Sequence, residues 1–150
     1  MSSAGSAERV GHVLVIEDEP NIAGIILYKL RREGHAVDHA DSAASARLLR
    51  APWDVVLLDS SLPGEDAMRL LTELRAGAPV VVMTESRDEE TPNLALRLGA
   101  AAIVRKPFKP TLLARLVLEV LSLPKGDADH SYGPPAGGLI TTMSAPEVAG

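Results

Sequence analysis

Short apolar runs alternate along this chain with stretches whose apolar residues recur at helical spacing. The first run is "HVLVI", His12–Ile16. Residues 20–33 follow, with Ile22, Ile25, Ile26 and Leu30 at helical spacing and Gly34 as the expected stop. "AVDHA", Ala36–Ala40, reads as a second and weaker strand. Asp41 or Ser42 then offers a cap for a helix ending near Arg50. "WDVVLL", residues 53–58, is the third strand, and its run from Val55 to Leu58 reads as buried on both faces. Residues 65–75 carry Met68, Leu70, Leu71 and Leu74 in a helical pattern. "PVVVM", residues 79–83, is a fourth strand, rich in β-branched residues. Residues 94–98 read as helical, with Thr91-Pro92 as a cap and first-turn proline. "AAIV", residues 101–104, makes a fifth strand, and residues 111–123 a last helix.

Five βα units in about 115 residues imply a parallel sheet with helices on both faces, because parallel neighbours need crossovers. In such sheets ligands bind beyond the carboxyl ends of the strands, where the strand order reverses. The residues just after each strand are therefore the candidates for chemistry.

After the first strand come Glu17, Asp18 and Glu19; Asp59 follows the third, Thr84 the fourth, and Lys106-Pro107 the fifth. Taken alone, Asp59 is either a polar stop that solvates a strand end or a group that reacts. Acids packed at one sheet edge repel one another unless a cation joins them. A hard divalent ion such as Mg²⁺ suits carboxylates, a carbonyl and waters, and leaves room for a phosphate oxygen. Lys106 adds a point charge for a phosphoryl group or for Asp59. Thr84 can donate a hydrogen bond to a phosphoryl oxygen. Asp59 can act as a carboxylate nucleophile that forms an acyl phosphate. Small Ser60 and Ser61 leave Asp59 open, and the Ser61 carbonyl is placed to ligate the ion.

Bulk properties narrow the partners. A chain of 150 residues is expected to form one domain with a real core. A net charge of −5 argues against a general nucleic-acid or anionic-membrane binder. The absence of cysteine excludes disulfides and thiolate metal sites. "MSSAGSAERVG" lacks the apolar core of a secretory signal, and no apolar run is long enough to span a bilayer, so a cytoplasmic location is expected. Residues 1–10 read as a flexible arm and 11–123 as the folded unit. Residues 124–150, rich in Pro, Gly, Ala and Ser without periodicity, read as a disordered tail. No second folded domain and no helix-turn-helix pattern is visible.

"VLVIEDEP", "DVVLLDSSLPG", "VVVMTES" and "VRKPF" together resemble the receiver (CheY-like) domain of bacterial response regulators in two-component systems. One such motif is a weak signal; four in order, at family-like spacing over roughly residues 11–123, are a strong one. The resemblance implies a flavodoxin-like, doubly wound, five-stranded parallel sheet of order 2-1-3-4-5 with five helices. It implies that Asp59 is the phosphoacceptor. Asp18 would hold Mg²⁺ directly and Glu17 through water, with Asp59 and the Ser61 carbonyl completing the set. Thr84 would be the switch hydroxyl, and Lys106 the family's lysine, followed by a cis bond to Pro107. The donor would be a phosphohistidine on a sensor histidine kinase or phosphotransfer protein, or a small acyl phosphate. Transfer and hydrolysis would be self-catalysed, so "enzyme" is a poor description.

The chain departs from the family pattern at several positions. The aromatic switch position of the fifth strand is Ile103, which puts the usual coupling from Thr84 in doubt. The residue after Thr84 is Glu85 rather than alanine, an acid expected to slow the access of anionic donors. Ala67 stands where glycine is common. Ala100, Ala101 and Ala102 replace the acidic pair that Arg115 would partner, so a salt-bridged dimer is not expected and a smoother apolar face is. A monomer or weak dimer follows, signalling through protein contact to an unidentified downstream partner without direct nucleic-acid binding.

Other features have plainer readings. His35 and His39 show an HxxxH spacing, but on a strand four residues span about 13 Å, so both read as surface residues rather than a chelate. Trp53 reads as a packing residue, and Asp88, Glu89 and Glu90 as a solvated helix start. "KPFKP" with Arg105 reads as support for a phosphate site. The sequence thus favours a stand-alone phosphoacceptor regulator. The alternatives are a phosphorylation-independent, degenerate receiver used as a scaffold, and the receiver fragment of a longer regulator. An aspartyl-phosphate hydrolase ranks last, because the second acid expected two residues after the nucleophile is Ser61.

Overall fold

The computed structural model describes residues 10–50, 52–63 and 66–123, together with the backbone of residues 142–143. Five strands, β1 (His12–Ile16), β2 (Ala36–Ala40), β3 (Val55–Asp59), β4 (Val80–Glu85) and β5 (Ala102–Lys106), alternate with five helices. The helices are α1 (Pro20–Arg32), α2 (Ala43–Leu48), α3 (Ala67–Leu74), α4 (Thr91–Arg97) and α5 (Pro110–Leu121). The strands pair in parallel in the order β2-β1-β3-β4-β5. This is the expected doubly wound sheet, with its order reversing at β1. A two-residue strand, β6 (Thr142–Met143), adds in parallel to β5 within the stretch expected to be disordered. Residues 1–9 of the expected arm, residues 1–10, and the rest of the tail lie outside the described residues.

Alternation along each strand divides the core into two layers. Leu14, Ile16, Val56, Leu58, Val80, Val82 and Ile103 share one buried cluster with residues of α2, α3 and α4. Val13, Val15, Val55, Leu57, Val81, Met83 and Val104 share the other with α1 and α5. Both faces are covered, so the apolar runs need no polar alternation. Each such Val or Leu contributes roughly 1.5–3 kcal/mol by leaving water.

Three strands run further than their apolar residues suggest. β3 includes Asp59, β4 runs through Thr84 to Glu85, and β5 reaches Lys106. The parallel ladder continues past the apolar stretch, pairing Asp59 with Met83, Thr84 with Arg105, and Glu85 with Lys106. Asp59, Thr84 and Lys106 therefore sit on hydrogen-bonded strand, whereas Asp18 and Ser61 lie in the turns that follow β1 and β3.

Side chains fix the helix starts. Ser42 Oγ accepts from Ser45 N at 3.0 Å, so Ser42 rather than Asp41 caps α2. Asp66 Oδ1 accepts from Met68 N at 3.0 Å and starts α3, with Ala67 as its first residue. Thr91 is the first residue of α4 rather than its cap; Asp88 Oδ1 accepts from Thr91 N at 2.9 Å and from Glu90 N at 3.0 Å. Gly34 and Gly99 follow α1 and α4 with φ of +99° and +108°, values that other residues adopt only with strain.

Two expectations are corrected. Ala100, Ala101 and Ala102 are buried, because they enter the sheet interior as β5 begins, so they do not form an apolar surface. His35 is buried too, since it precedes β2 and escapes that strand's alternation, whereas His39 is exposed as expected. Trp53 packs edge-on against the His12 ring, with centroids 4.7 Å apart.

His35 Nδ1 accepts from Gly11 N at 3.1 Å, which holds the ring neutral with its proton on Nε2. Burial lowers its pKa from the ordinary 6.5, against a smaller opposing pull from Glu33. In the unfolded chain the ring protonates near the ordinary histidine value of about 6.5; in the folded protein it protonates only at lower pH. The stability its neutral form provides is intact above that value and is lost progressively as pH falls from there through the folded pKa. Urea unfolding at pH 7.5 and at pH 5.5 (about one unit either side of the ordinary histidine value) should show a larger acid loss for wild type than for His35→Gln. Equal losses would assign the acid sensitivity elsewhere.

Candidate functional site

The carboxyl ends of β1, β3, β4 and β5 bring the candidates together. Glu17 continues the ladder of β1, donating its N–H to Ala40 O at 3.0 Å, and the residue is 1% exposed. Asp59 closes β3 and is 2% exposed. Lys106 Nζ lies 3.0 Å from Glu17 Oε1 and 3.3 Å from Asp59 Oδ1, so one ammonium joins two buried carboxylates. Ser61 N donates to Asp59 Oδ1 at 3.1 Å and Ser60 N to Met83 O at 2.9 Å, which fixes the turn after β3. Glu17 Oε2 accepts from Glu19 N at 3.2 Å, and Glu19 Oε1 caps α1 through Ile22 N at 3.1 Å.

Asp18 is exposed at the mouth of the site. One carboxylate oxygen from each of Glu17, Asp18 and Asp59 lies within 4.8 Å of the others. Desolvation raises the pKa of Glu17, and Asp59 raises it further, while Lys106 opposes both. Partial desolvation and then the Asp59 carboxyl also raise Asp18. Burial acts to lower Lys106, but its bonds and charges with Glu17 and Asp59 outweigh this and raise it.

Thr84 is fully buried, and its Oγ1 has no partner among the described residues. A buried hydroxyl without a partner carries a desolvation cost of about 1–3 kcal/mol, so the position invites an acceptor. The Lys106–Pro107 bond is cis, as the resemblance implied. Ile103 lies apart from these groups, buried in the layer under α2, α3 and α4.

Two contacts escaped sequence reasoning. His39 Nε2 lies 2.9 Å from the Glu17 carbonyl oxygen and so braces the turn that carries Asp18. The available signal was its place near the end of the strand beside β1. Arg105 Nη1 donates to Asp88 O at 2.8 Å and to Ser86 O at 3.3 Å, holding the loop between β4 and α4. A cavity of about 450 Å³ opens beside the site, lined in part by Ile22, Ile25, Glu85, Lys106 and Phe108.

The model of the response regulator receiver domain matches residues 13–118. The chain belongs to the response regulator receiver family. The sensory transduction protein RegX3 of Mycobacterium tuberculosis (strain H37Rv) is 39% identical over 123 residues, covering 79% of this chain and 53% of that protein. The transcriptional regulatory protein ResD of Bacillus subtilis is 30% identical over 124 residues, covering 80% of this chain and 50% of ResD. The chain thus spans about half the length of these relatives. A response regulator receiver protein from Burkholderia phymatum shares the fold at a TM-score of 0.66 and 30% identity, covering 75% of this chain and 96% of that one. Among the described residues, no helix is long and apolar enough to cross a membrane.

The receiver's acids suit a divalent cation. Three carboxylates and one ammonium leave a formal charge of −2, and hard oxygens are the donors Mg²⁺ prefers. A bound ion stabilises the folded state by mass action. Saturating Mg²⁺ should therefore raise the melting temperature by a few degrees. Asp18→Asn removes one repelling charge, so it should melt above wild type without the ion and gain less from it. Scanning calorimetry with Mg²⁺ and with chelator checks both; an unchanged wild-type Tm would remove the metal site.

Proposed function

We propose that this receiver accepts a phosphoryl group on Asp59 in a Mg²⁺-dependent reaction and signals by protein contact. The observation that carries it is the convergence of Asp59, Lys106 and the partnerless Thr84 hydroxyl at one sheet edge. Glu17, Asp18, Asp59 and the Ser61 carbonyl would hold the ion, which when bound offsets charge on the transferring group. The donor class is a phosphohistidine on a sensor kinase or phosphotransfer protein, met in the cytoplasm.

Asp59 is already ordered for attack. Its carboxylate is fixed by the Ser61 amide and by Lys106, so little freedom is lost on reaction. An Asp59 oxygen–phosphorus bond forms as the donor's phosphorus–nitrogen bond breaks, and the imidazole nitrogen leaves with the electron pair. Lys106 turns from the carboxylates toward the phosphoryl oxygens. Thr84 Oγ1 donates to one of those oxygens, which satisfies its missing bond. The shift would favour a second conformation by the free energy of these new contacts. A scaffold indifferent to phosphate would have no use for this set. The half-length match to RegX3 and ResD supports a second reading, in which the same chemistry serves as the receiver part of a longer regulator.

Incubation with acetyl phosphate and Mg²⁺ should add the mass of one phosphoryl group to wild type and none to Asp59→Asn. Lys106→Gln should slow the reaction by about 10²-fold, the scale for removing one positioned electrostatic donor. Equal labelling of Asp59→Asn would sink the assignment.

A further inference from the structure

We propose that Glu85 is a specificity-determining residue that selects phosphoryl donors by their charge. This rests on the phosphoacceptor reading of Asp59 and extends it. Glu85 ends β4, one residue after Thr84, and is exposed. Its Oε2 lies 3.3 Å from Ser61 Oγ, and the same hydroxyl lies 3.4 Å from Asp59 Oδ1. One hydroxyl proton is thus shared between the reacting acid and a second acid outside it. Glu85 also lines the cavity beside the site, with Ser86, Lys106 and Phe108.

Charge balance gives this position its effect. Glu17, Asp18 and Asp59 carry three negative charges, which Lys106 and a divalent cation together cancel. Glu85 is left over. Lys106 pairs with Glu17 and Asp59 instead, and Arg105 is occupied by the carbonyls of Ser86 and Asp88. Among the described residues no cation lies within ion-pair distance of Glu85. An incoming donor therefore meets one uncompensated negative charge within about 7 Å of Asp59. In a water-like dielectric that repulsion slows approach about threefold per unit of donor charge. A dianionic acyl phosphate is penalised most. A donor whose leaving group carries a proton, such as phosphohistidine or phosphoramidate, is penalised less. What Glu85 adds is a discrimination by donor charge, which widens the gap between dianionic and monoanionic donors.

The chemistry is the same for each donor. The Asp59 oxygen–phosphorus bond forms; acetate leaves acetyl phosphate with the phosphorus–oxygen electron pair, and ammonia leaves phosphoramidate with the phosphorus–nitrogen pair.

The test measures phosphorylation rates of the full chain with Mg²⁺, using acetyl phosphate and phosphoramidate, for wild type, Glu85→Gln and Glu85→Ala. Glu85→Gln keeps the shape and removes the charge. It should speed acetyl phosphate about threefold more than phosphoramidate, and raising ionic strength from about 0.05 to 0.5 M should erase the difference. Unchanged donor ratios in Glu85→Gln would overturn the proposal. So would acceleration of both donors in Glu85→Ala alone, which would make the barrier one of bulk. If folded wild type took no phosphoryl group from either donor, the phosphoacceptor reading itself would fail, a result separate from any change in ratio.

Discussion

One ammonium between two buried carboxylates holds this site together. Lys106 reaches Glu17 and Asp59 from the far side of the switch in strand order, so it ties the ends of β1, β3 and β5 at one point. Such a pairing is costly to bury, and its Coulomb gain in a protein interior offsets much of that cost only with good geometry. The geometry is good because Glu17 and Asp59 stand at the ends of the neighbouring strands β1 and β3, and Lys106 reaches them from β5 across the end of β4. Removing the lysine would leave two desolvated acids facing each other, a defect on the order of 3–5 kcal/mol. The two apolar layers on either side of the sheet make that arrangement tolerable.

The same edge holds groups that weaken the fold. Acids whose charged forms are disfavoured, and a fully buried threonine hydroxyl without a partner, each lower stability. Sites that bind charge are expected to carry such strain, since what the folded chain lacks a ligand can supply. The cost is confined to one edge: the layers beneath it are continuous aliphatic core.

Much of this was legible in the sequence. Apolar runs located all five main strands, and reading the residues after each run found Glu17, Asp18, Asp59, Thr84 and Lys106 as one constellation. The strand ends were placed short, because hydrophobicity stops at Leu58, Met83 and Val104 while the hydrogen-bond ladder goes on through polar residues. His35 was misplaced for a related reason: period-two alternation says nothing of a residue before the strand begins. Asp88 was read as part of a solvated run, although its carboxylate receives two helix N–H groups, since composition does not reveal where a side chain folds back. The pairing of Thr142–Met143 with β5 has no local signature at all, because an edge strand accepts backbone from any residue but proline.

Ile103 limits how a change at Asp59 could reach the surface. It is fully buried in the cluster that includes Leu58, Val82 and Ala95. Swinging it into water would forfeit roughly 1.5–3 kcal/mol of burial, as much as a typical coupling energy between sites of about 1–3 kcal/mol. An aliphatic side chain has no polar tip to recover that loss at the surface, as an aromatic hydroxyl would. The loop from Ser86 to Asp88 is easier to move. It is held to β5 by two carbonyl bonds from Arg105, each worth about 0.5–1.5 kcal/mol and replaceable by water. It also begins two residues after Thr84, whose hydroxyl has a bond to gain. A change made at Asp59 would therefore pass more cheaply along the backbone after β4 than through the side chain at 103.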